Sequence, residues 1–189
     1  MLIKFFKIFC LILLLISPSP VYSKNKDIKE FNSKNLSSYF SALVSYDNQK
    51  NIDALKFFKL SNSLISRHDP YLKAYVFSLV MEGKIKQSIK QLKQSSGEKS
   101  SDFFEAYLIL MLDSIKKKDY KESLNYINNL KAHKEEGTFE FIISSVLEEY
   151  TYLFNNNKIN QKLSEEFGNL SLINRAFQNC YLGKPDSEY

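Results

Sequence analysis

The residues best suited to chemistry in this sequence are few and far apart. His68 and His133 could bind a metal ion together with a neighbour such as Asp69, but the sequence has no His-x-x-x-His pair or comparable ligand spacing. Both histidines fall near the ends of predicted helices, where a cation complements the dipole of a helix C-terminus. We therefore expect structural roles for the histidines, with no metal site and no cofactor.

Two pairs of adjacent carboxylates, Glu148-Glu149 and Glu165-Glu166, have the residue type of a general acid–base pair. Neighbouring residues on a helix point to different sides, so we expect both pairs to lie on solvated surfaces. Serine is frequent, but the glycine patterns of a nucleophile elbow or a phosphate-binding loop are absent from the sequence. The sequence therefore predicts a protein that is not an enzyme.

Basic residues outnumber acidic ones by a small margin. The chain has 26 Lys and Arg against 21 Asp and Glu, a net charge of +5, and the excess is dispersed. The densest cluster, Lys116-Lys117-Lys118, comes at the end of a predicted helix, where lysines complement the helix dipole. We interpret this cluster as ordinary surface and do not expect nucleic-acid binding.

The N-terminal residues have the pattern of a secretory signal peptide. Lys4 and Lys7 precede an apolar run over 8–16, and a Ser-Pro repeat follows it. Val21 and Ser23 place small residues at the two positions read by signal peptidase, so we predict cleavage after Ser23 and export to the periplasm of a Gram-negative bacterium. The alternative is an uncleaved anchor, for which the apolar run is short.

Cleavage at this point would leave one domain-sized chain with a single cysteine. Residues 24–34 are polar and are predicted to form a flexible leader, and loss of Lys4 and Lys7 lowers the net charge to near +3. Cys180 is then unable to form an intramolecular disulfide. Because its neighbours are apolar, we expect Cys180 to be buried in the core.

Helical periodicity runs through the rest of the chain. Apolar residues recur at three- and four-residue steps, and no alternating strand pattern is sustained. A first helix is predicted to begin at Asn35, and the following ones span 53–65, 71–81, 86–94, 103–115, 121–132 and 139–153. One face of a last helix carries Leu172, Ala176, Phe177, Cys180 and Tyr181.

A short phrase recurs at near-constant spacing, in residues 51–55, 85–89 and 120–124. Its small residue is Ala54, then Ser88, then Ser123, which are 34 and 35 residues apart. Four residues after each comes a large apolar side chain, namely Phe58, Leu92 and Ile127. A fixed period of this length is typical of stacked helix pairs.

This layout resembles the tetratricopeptide repeat (TPR) family, a 34-residue helix–turn–helix unit, over residues 35–152. In that family two small residues let the paired helices approach closely. Ala42 occupies the first small position of repeat one, whereas Val76 and Met111 depart from it in the next two repeats. The family's turn glycine is present in the second repeat alone; the three turn positions are Gln49, Gly83 and Lys118.

The resemblance implies an all-α fold, a right-handed superhelical solenoid of antiparallel helix pairs with about 3.5 repeats and a C-terminal helix. The implied repeats are 35–68, 69–102, 103–137 and a partial one at 138–159. A C-terminal helical segment at 160–183 and a tail at 184–189 follow.

The resemblance also implies a function, because first helices of successive TPR-like repeats line a concave face that binds protein segments. We therefore expect a non-enzymatic scaffold for protein–protein interaction in the cell envelope. Carried over by register, its partner-binding residues are Tyr39, Leu43, Tyr46, Lys73, Phe77, Met81, Leu108, Leu112, Lys116, Ile143, Leu147 and Tyr150. This stripe is unusually apolar. The alternative to partner binding is that further repeats of a longer chain, or a second copy, cover the stripe.

Two other functions fit the same pattern. One is an accessory repeat domain of a larger exported enzyme, which the linker-like residues 184–189 favour. The other is a carrier of an apolar ligand or lipid in the apolar stripe. Contact with a membrane is expected only through the signal peptide, if it stays uncleaved.

Overall fold

The computed structural model describes residues 32–65, 68–132, 138–164 and 166–184. These ranges contain α-helices and two short 3-10 helices, at Asn62–Leu64 and Lys99–Ser101, and no strand. The α-helices are α1 (Ser33–Asp47), α2 (Asn51–Leu60), α3 (Asp69–Met81), α4 (Ile85–Gln94), α5 (Phe104–Lys116), α6 (Tyr120–Ala132), α7 (Phe139–Asn156) and α8 (Asn169–Tyr181). The predicted signal peptide, most of the predicted leader and His133 lie outside the described residues.

The prediction of an all-α fold is confirmed, with helix ends close to the predicted ones. α1 begins at Ser33, because the Asn32 side chain caps it by accepting a hydrogen bond of 2.9 Å from the Lys34 N–H. Pro70 lies in the first turn of α3, where its missing N–H costs no helical hydrogen bond. Within the described ranges, no helix is both long and apolar enough to span a membrane.

The turns inside the first three helix pairs share one backbone conformation. Gln49, Gly83 and Lys118 have φ of 58°, 67° and 61°. In each turn the next residue donates its N–H to a carbonyl five residues back: Lys50 to Ser45 at 2.8 Å, Lys84 to Leu79 at 2.8 Å and Asp119 to Ser114 at 2.9 Å. The predicted period is therefore present in the backbone itself.

We call α1, α3 and α5 the first helices and α2, α4 and α6 the second helices. From α1 to α8 each helix contacts the one that follows it in the chain. The small residues Ala54, Ser88 and Ser123 of the second helices are all fully buried. Their burial agrees with the prediction that small side chains allow close approach within each pair.

An aromatic cluster joins the first pair to α3. The ring of Tyr71 stacks on Tyr39 with centroids 5.2 Å apart, and it meets Phe58 edge-on at 5.1 Å. The Tyr71 hydroxyl also donates to the backbone carbonyl of Phe58. Because the three rings come from α1, α2 and α3, burying them fixes these helices together.

Further apolar clusters continue the core along the chain. The second contains the buried residues Leu72, Val76, Leu92, Phe103, Ala106 and Leu110. The third contains Met111, Ile127 and Leu130, with Leu147 of α7 packed against it. Together they bury the facing sides of α3 to α7.

The last helix, α8, packs with its polar side inward. Ser171, Asn174 and Gln178 are buried, whereas Leu172, Ile173, Phe177 and Tyr181 are exposed. Cys180 is exposed as well, so the prediction of a buried core cysteine is wrong. α7 presents both polar groups and aromatic rings to α8: Gln178 bonds Glu149, and the rings of Phe177 and Tyr181 lie against Tyr150 and Phe154. Cys180 stays exposed beside these contacts.

Candidate functional site

The residues predicted to bind a partner are accessible, with one exception. Part of the side chain is exposed for Leu43, Tyr46, Lys73, Phe77, Met81, Leu108, Leu112, Lys116, Ile143, Leu147 and Tyr150. Tyr39 is only 3% exposed and shares a hydrogen bond of 2.9 Å with Nδ1 of His68. Tyr39 therefore belongs to the aromatic core between α1, α2 and α3.

Lys73 and Phe77 form the centre of the α3 part of this surface, above the buried ring of Phe103. Lys73 Nζ lies 5.8 Å from the ring centre of Phe77 and 5.5 Å from that of Phe103, within cation–π range. It also meets Glu105 Oε2 at 3.1 Å as a close charge pair rather than an aligned hydrogen bond. One helical turn beyond Phe77, Met81 is 68% exposed. This part of the surface is therefore apolar, with the charged amine of Lys73 at its edge.

The α5 part has the same spacing. Leu108, Leu112 and Lys116 follow one another at four-residue steps, so they lie along one side of the helix. Leu108 packs partly against the third core cluster, whereas Leu112 is 48% exposed and Lys116 is exposed. The accessible groups on α5 are thus one apolar side chain and one cation.

The lysine cluster at the end of α5 has structural roles in two of its three residues. Lys117 Nζ pairs with Asp113 Oδ2 at 2.5 Å, an i, i+4 contact on the helix surface. Lys118 occupies the left-handed turn position. Only Lys116 lies on the predicted binding side, which agrees with the interpretation of this cluster as ordinary surface.

The α7 part of the predicted stripe is joined to α8. The Tyr150 hydroxyl donates to Asn174 Oδ1 at 2.7 Å, and the Tyr150 ring meets Phe177 edge-on with centroids 5.2 Å apart. Burial raises the pKa of Tyr150, and the neighbouring Glu149 carboxylate raises it further. Leu147 packs on the third core cluster, and both Ile143 and Leu147 are half-exposed.

A polar cleft lined by α7, residues 158–164, Glu166 and α8 was not foreseen from the sequence. Its volume is about 1010 Å³, and its floor includes the buried polar residues Glu149, Ser171, Asn174 and Gln178. Four basic residues also line the cleft, namely Lys158, Lys162, Arg175 and Lys184. The signal for this cleft in the sequence was the helical spacing of the polar residues Ser171, Asn174 and Gln178 in α8. From the sequence alone, such a row of polar residues predicts a helix face exposed to solvent.

The expectation that both carboxylate pairs are solvated is wrong for Glu149. Glu149 is 8% exposed and accepts a hydrogen bond of 2.8 Å from Gln178 Nε2. Its neighbour Glu148 points elsewhere and pairs with Lys131 at 2.6 Å. The two carboxylates thus face different surroundings, which does not favour joint acid–base chemistry.

His68 also departs from its predicted setting. It immediately precedes α3, at a helix N-terminus instead of a C-terminus. Its ring meets Tyr39 edge-on at 5.2 Å in addition to their hydrogen bond. His68 therefore has a structural role, as expected, but through a side-chain contact that spans 29 residues of sequence.

An apolar groove runs along the other side of α1. Its volume is about 660 Å³, and Leu36, Phe40, Val44 and Phe57 provide its apolar lining. Four serines of α1 stand among them: Ser33, Ser37, Ser41 and Ser45. Among the described residues that line this groove, none is charged and none forms a nucleophile–base pair.

Across the described ranges, no group of three or more His, Cys, Asp or Glu side chains is placed to hold a metal ion. The accessible groups of the first helices are mainly apolar side chains with lysines beside them. The chain matches no protein-family model, no curated protein and no solved structure.

Proposed function

We propose that this chain is an exported, non-enzymatic scaffold of TPR-like helix pairs that binds a partner protein through its first helices. The observation that carries the proposal is the repeated left-handed turn at Gln49, Gly83 and Lys118. Because the same turn recurs at a near-constant period, residues at the same distance from the turn are expected to have similar surroundings in successive first helices. A stack of such pairs would form the superhelical solenoid that the sequence pattern implies.

The chemistry of the equivalent positions supports a protein partner. The residues six and two positions before the turn are Phe77 and Met81 in the second pair, and Leu112 and Lys116 in the third. They keep apolar area accessible, as a groove for an amphipathic helix or an apolar peptide does. Lys73 and Lys116 would favour an acidic residue in the bound segment.

Export is the second part of this proposal, and it comes from the N-terminal sequence pattern. A partner is then expected in the periplasm or on the cell envelope. TPR-like pairs rely on helix packing alone, which suits a chain whose predicted mature form has one cysteine. The proposal needs no cofactor and no nucleic acid.

Site-specific photo-crosslinking in intact cells tests this function. A photoreactive residue at Leu112 should give a discrete protein adduct, which mass spectrometry then identifies. The charged variant Phe77→Glu/Leu112→Glu should abolish binding of that identified partner in a purified assay, because two desolvated carboxylates would replace apolar contacts.

The matched control uses exposed apolar residues of the second helices. Ile52 and Leu124 are 69% and 39% exposed, and they lie on α2 and α6. The variant Ile52→Glu/Leu124→Glu should bind the partner as the unmodified chain does. If Phe77→Glu/Leu112→Glu keeps its helicity and still binds, the first helices are not the binding surface.

A further inference from the structure

One side of α8 is polar, and it faces the polar cleft. The residues of α8 that line the cleft follow one another at steps of three, four or one, as one helix face requires: Ser171, Asn174, Arg175, Gln178 and Asn179. On the opposite side of the helix Ile173 is 64% exposed. Because burial of apolar area is favourable, packing alone would turn α8 the other way. Local departures from the packing pattern of this kind are expected at functional sites.

The floor of the cleft offers hydrogen-bonding groups that are already oriented. Asn174 and Gln178 are each 5% exposed. Oδ1 of Asn174 accepts from the Tyr150 hydroxyl, and Nε2 of Gln178 donates to Glu149. Among the described residues, Nδ2 of Asn174 and Oε1 of Gln178 then remain as a donor and an acceptor for a ligand. The floor therefore suits a group that both donates and accepts, as a hydroxyl does.

The mouth of the cleft is cationic. The four basic residues that line the cleft are exposed, and none of them forms an ion pair with a carboxylate in the described ranges. They outnumber the two acidic residues that line it, Glu149 and Glu166. Glu149 is buried at the floor, so an anionic group is repelled there and attracted at the mouth.

The wall of the cleft that precedes α8 is held at several points. Phe167 donates its N–H to Ser171 Oγ at 2.6 Å, and the Phe167 ring meets Phe141 of α7 edge-on with centroids 6.1 Å apart. Oδ1 of Asn160 accepts from the Lys162 N–H at 3.1 Å. Contacts of this kind order the wall before a ligand arrives, which lowers the entropy cost of binding.

We propose that this cleft binds a phosphorylated sugar or a similar phosphorylated polyol. Its hydroxyls bond Asn174 and Gln178 at the floor and donate to the Glu149 carboxylate, which an ionised phosphate is unable to do. Its phosphate lies between the basic side chains at the mouth. The cleft volume of about 1010 Å³ is at the upper end of the range for small-molecule sites. This site is separate from the surface of the first helices.

Glucose 6-phosphate is the soluble probe, and nitrogen-15 NMR of the full chain as cells produce it is the measurement. The side-chain amide signals of Asn174 and Gln178 should shift saturably, because both groups lie at the floor. Glucose and inorganic phosphate should each bind at least about tenfold more weakly, since each carries half of the recognised chemistry. Added salt should weaken the binding of glucose 6-phosphate, because the basic residues are exposed.

Charge removal at the mouth tests the phosphate position. Lys162→Gln/Arg175→Gln should raise the dissociation constant of glucose 6-phosphate by about tenfold, because two of the four cations are lost. Lys56→Gln/Lys59→Gln is the matched control. Both of these lysines are exposed on α2 and lie outside the lining of the cleft, so this variant should bind the probe as the unmodified chain does.

The same chemistry can also be presented by a lipid headgroup. Vesicles of phosphatidylinositol test that source, with phosphatidylcholine vesicles as the control. Sedimentation with phosphatidylinositol that Lys162→Gln/Arg175→Gln loses would assign the ligand to a lipid headgroup. Saturable binding of glucose 6-phosphate without such sedimentation would assign it to a free sugar phosphate.

Three results would overturn the proposal. The first is that glucose 6-phosphate leaves both amide signals unshifted while phosphatidylinositol vesicles bind no protein. The second is inorganic phosphate that binds as tightly as glucose 6-phosphate. The third is undiminished binding by Lys162→Gln/Arg175→Gln while circular dichroism shows unchanged helicity. The first-helix variant Phe77→Glu/Leu112→Glu should bind the probe normally, which separates this proposal from the proposed function.

Discussion

Gln178 donates a hydrogen bond from Nε2 to Oε2 of Glu149 at 2.8 Å, and both side chains are buried between α7 and α8. This bond helps to stabilise a carboxylate that is only 8% exposed where it lines the polar cleft. It also explains how a helix with a polar inner side can pack at all, because buried polar groups are tolerated when they are hydrogen-bonded. The orientation of α8 depends on such pairs.

Removing the Gln178 amide should therefore destabilise the fold. We expect Gln178→Ala to lower the free energy of unfolding by about 1–3 kcal/mol, because a buried carboxylate loses one of its donors. Urea denaturation followed by circular dichroism measures this. Gln87→Ala is the control: Gln87 is exposed on α4, so its replacement should change stability by less than about 0.5 kcal/mol. If the two variants changed the free energy of unfolding equally, the buried hydrogen bond would make no contribution to stability.

The repeated turns give a second prediction. Gln49 and Lys118 hold φ of 58° and 61°, a conformation that glycine adopts without a Cβ penalty. Gln49→Gly and Lys118→Gly should each raise the free energy of unfolding, by about 0.5–1 kcal/mol.

Two further variants, which are expected to lower stability, serve as controls for the turn prediction. Gly83→Ala should lower stability by about 1 kcal/mol, and steric contact is not the cause, because a Cβ at Gly83 would meet no atom within 4 Å. Lys117→Gly should also lower stability, since Lys117 has φ of −84°. Chemical denaturation of the four variants checks these signs, and a stabilising Gly83→Ala would contradict them.

The helices and their period were readable from the sequence, because both depend on local patterns. Apolar residues at three- and four-residue steps place α2 to α7 within about five residues of their observed ends. Gly83 and the spacing of Ala54, Ser88 and Ser123 located the repeated turn, which each segment forms by itself. The turns at Gln49 and Lys118 were also located, although neither residue is a glycine, because they lie one period away from Gly83.

The orientation of α8 was not readable, because it depends on what the neighbouring helix presents. An apolar stripe alone predicts burial, so Cys180 was expected in the core. Gln178 bonds Glu149 and Tyr150 bonds Asn174 across the two helices, and neither bond can be inferred until both helices are placed. The contact of His68 with Tyr39 is non-local in the same way.

The buried small residues of the second helices lead to a third prediction. Ala54 is fully buried and belongs to the first core cluster with Tyr39, Ala42 and Phe58. Ala54→Leu should lower the free energy of unfolding by about 1–3 kcal/mol, because three added carbons must displace a close-packed neighbour. Ile52→Leu, at an exposed position of the same helix, is the control and should be nearly neutral. A stable Ala54→Leu chain would show that α1 and α2 are not in close contact there.

Alkaline pH should unfold this chain in a window set by its buried tyrosines. Burial raises the pKa of Tyr71 to about 12, against about 10 in an unfolded chain. Between these values the unfolded chain loses the Tyr71 proton while the native chain keeps it, so the free energy of unfolding falls as pH rises. Below pH 10 both states hold the proton and Tyr71 contributes no slope. Its contribution to the slope is at most about 1.4 kcal/mol per pH unit.

The variant Tyr71→Phe tests the origin of this slope. It should be less stable than the unmodified chain at neutral pH, because the Tyr71 hydroxyl donates to the Phe58 carbonyl. Between pH 10 and 12, however, its stability should fall less steeply, since one buried proton no longer has to be retained. Urea titrations at several pH values, read by circular dichroism, give both quantities. A variant with the slope of the unmodified chain would assign the alkaline transition to other groups, among them Tyr126, whose pKa burial and Glu122 raise to about 12.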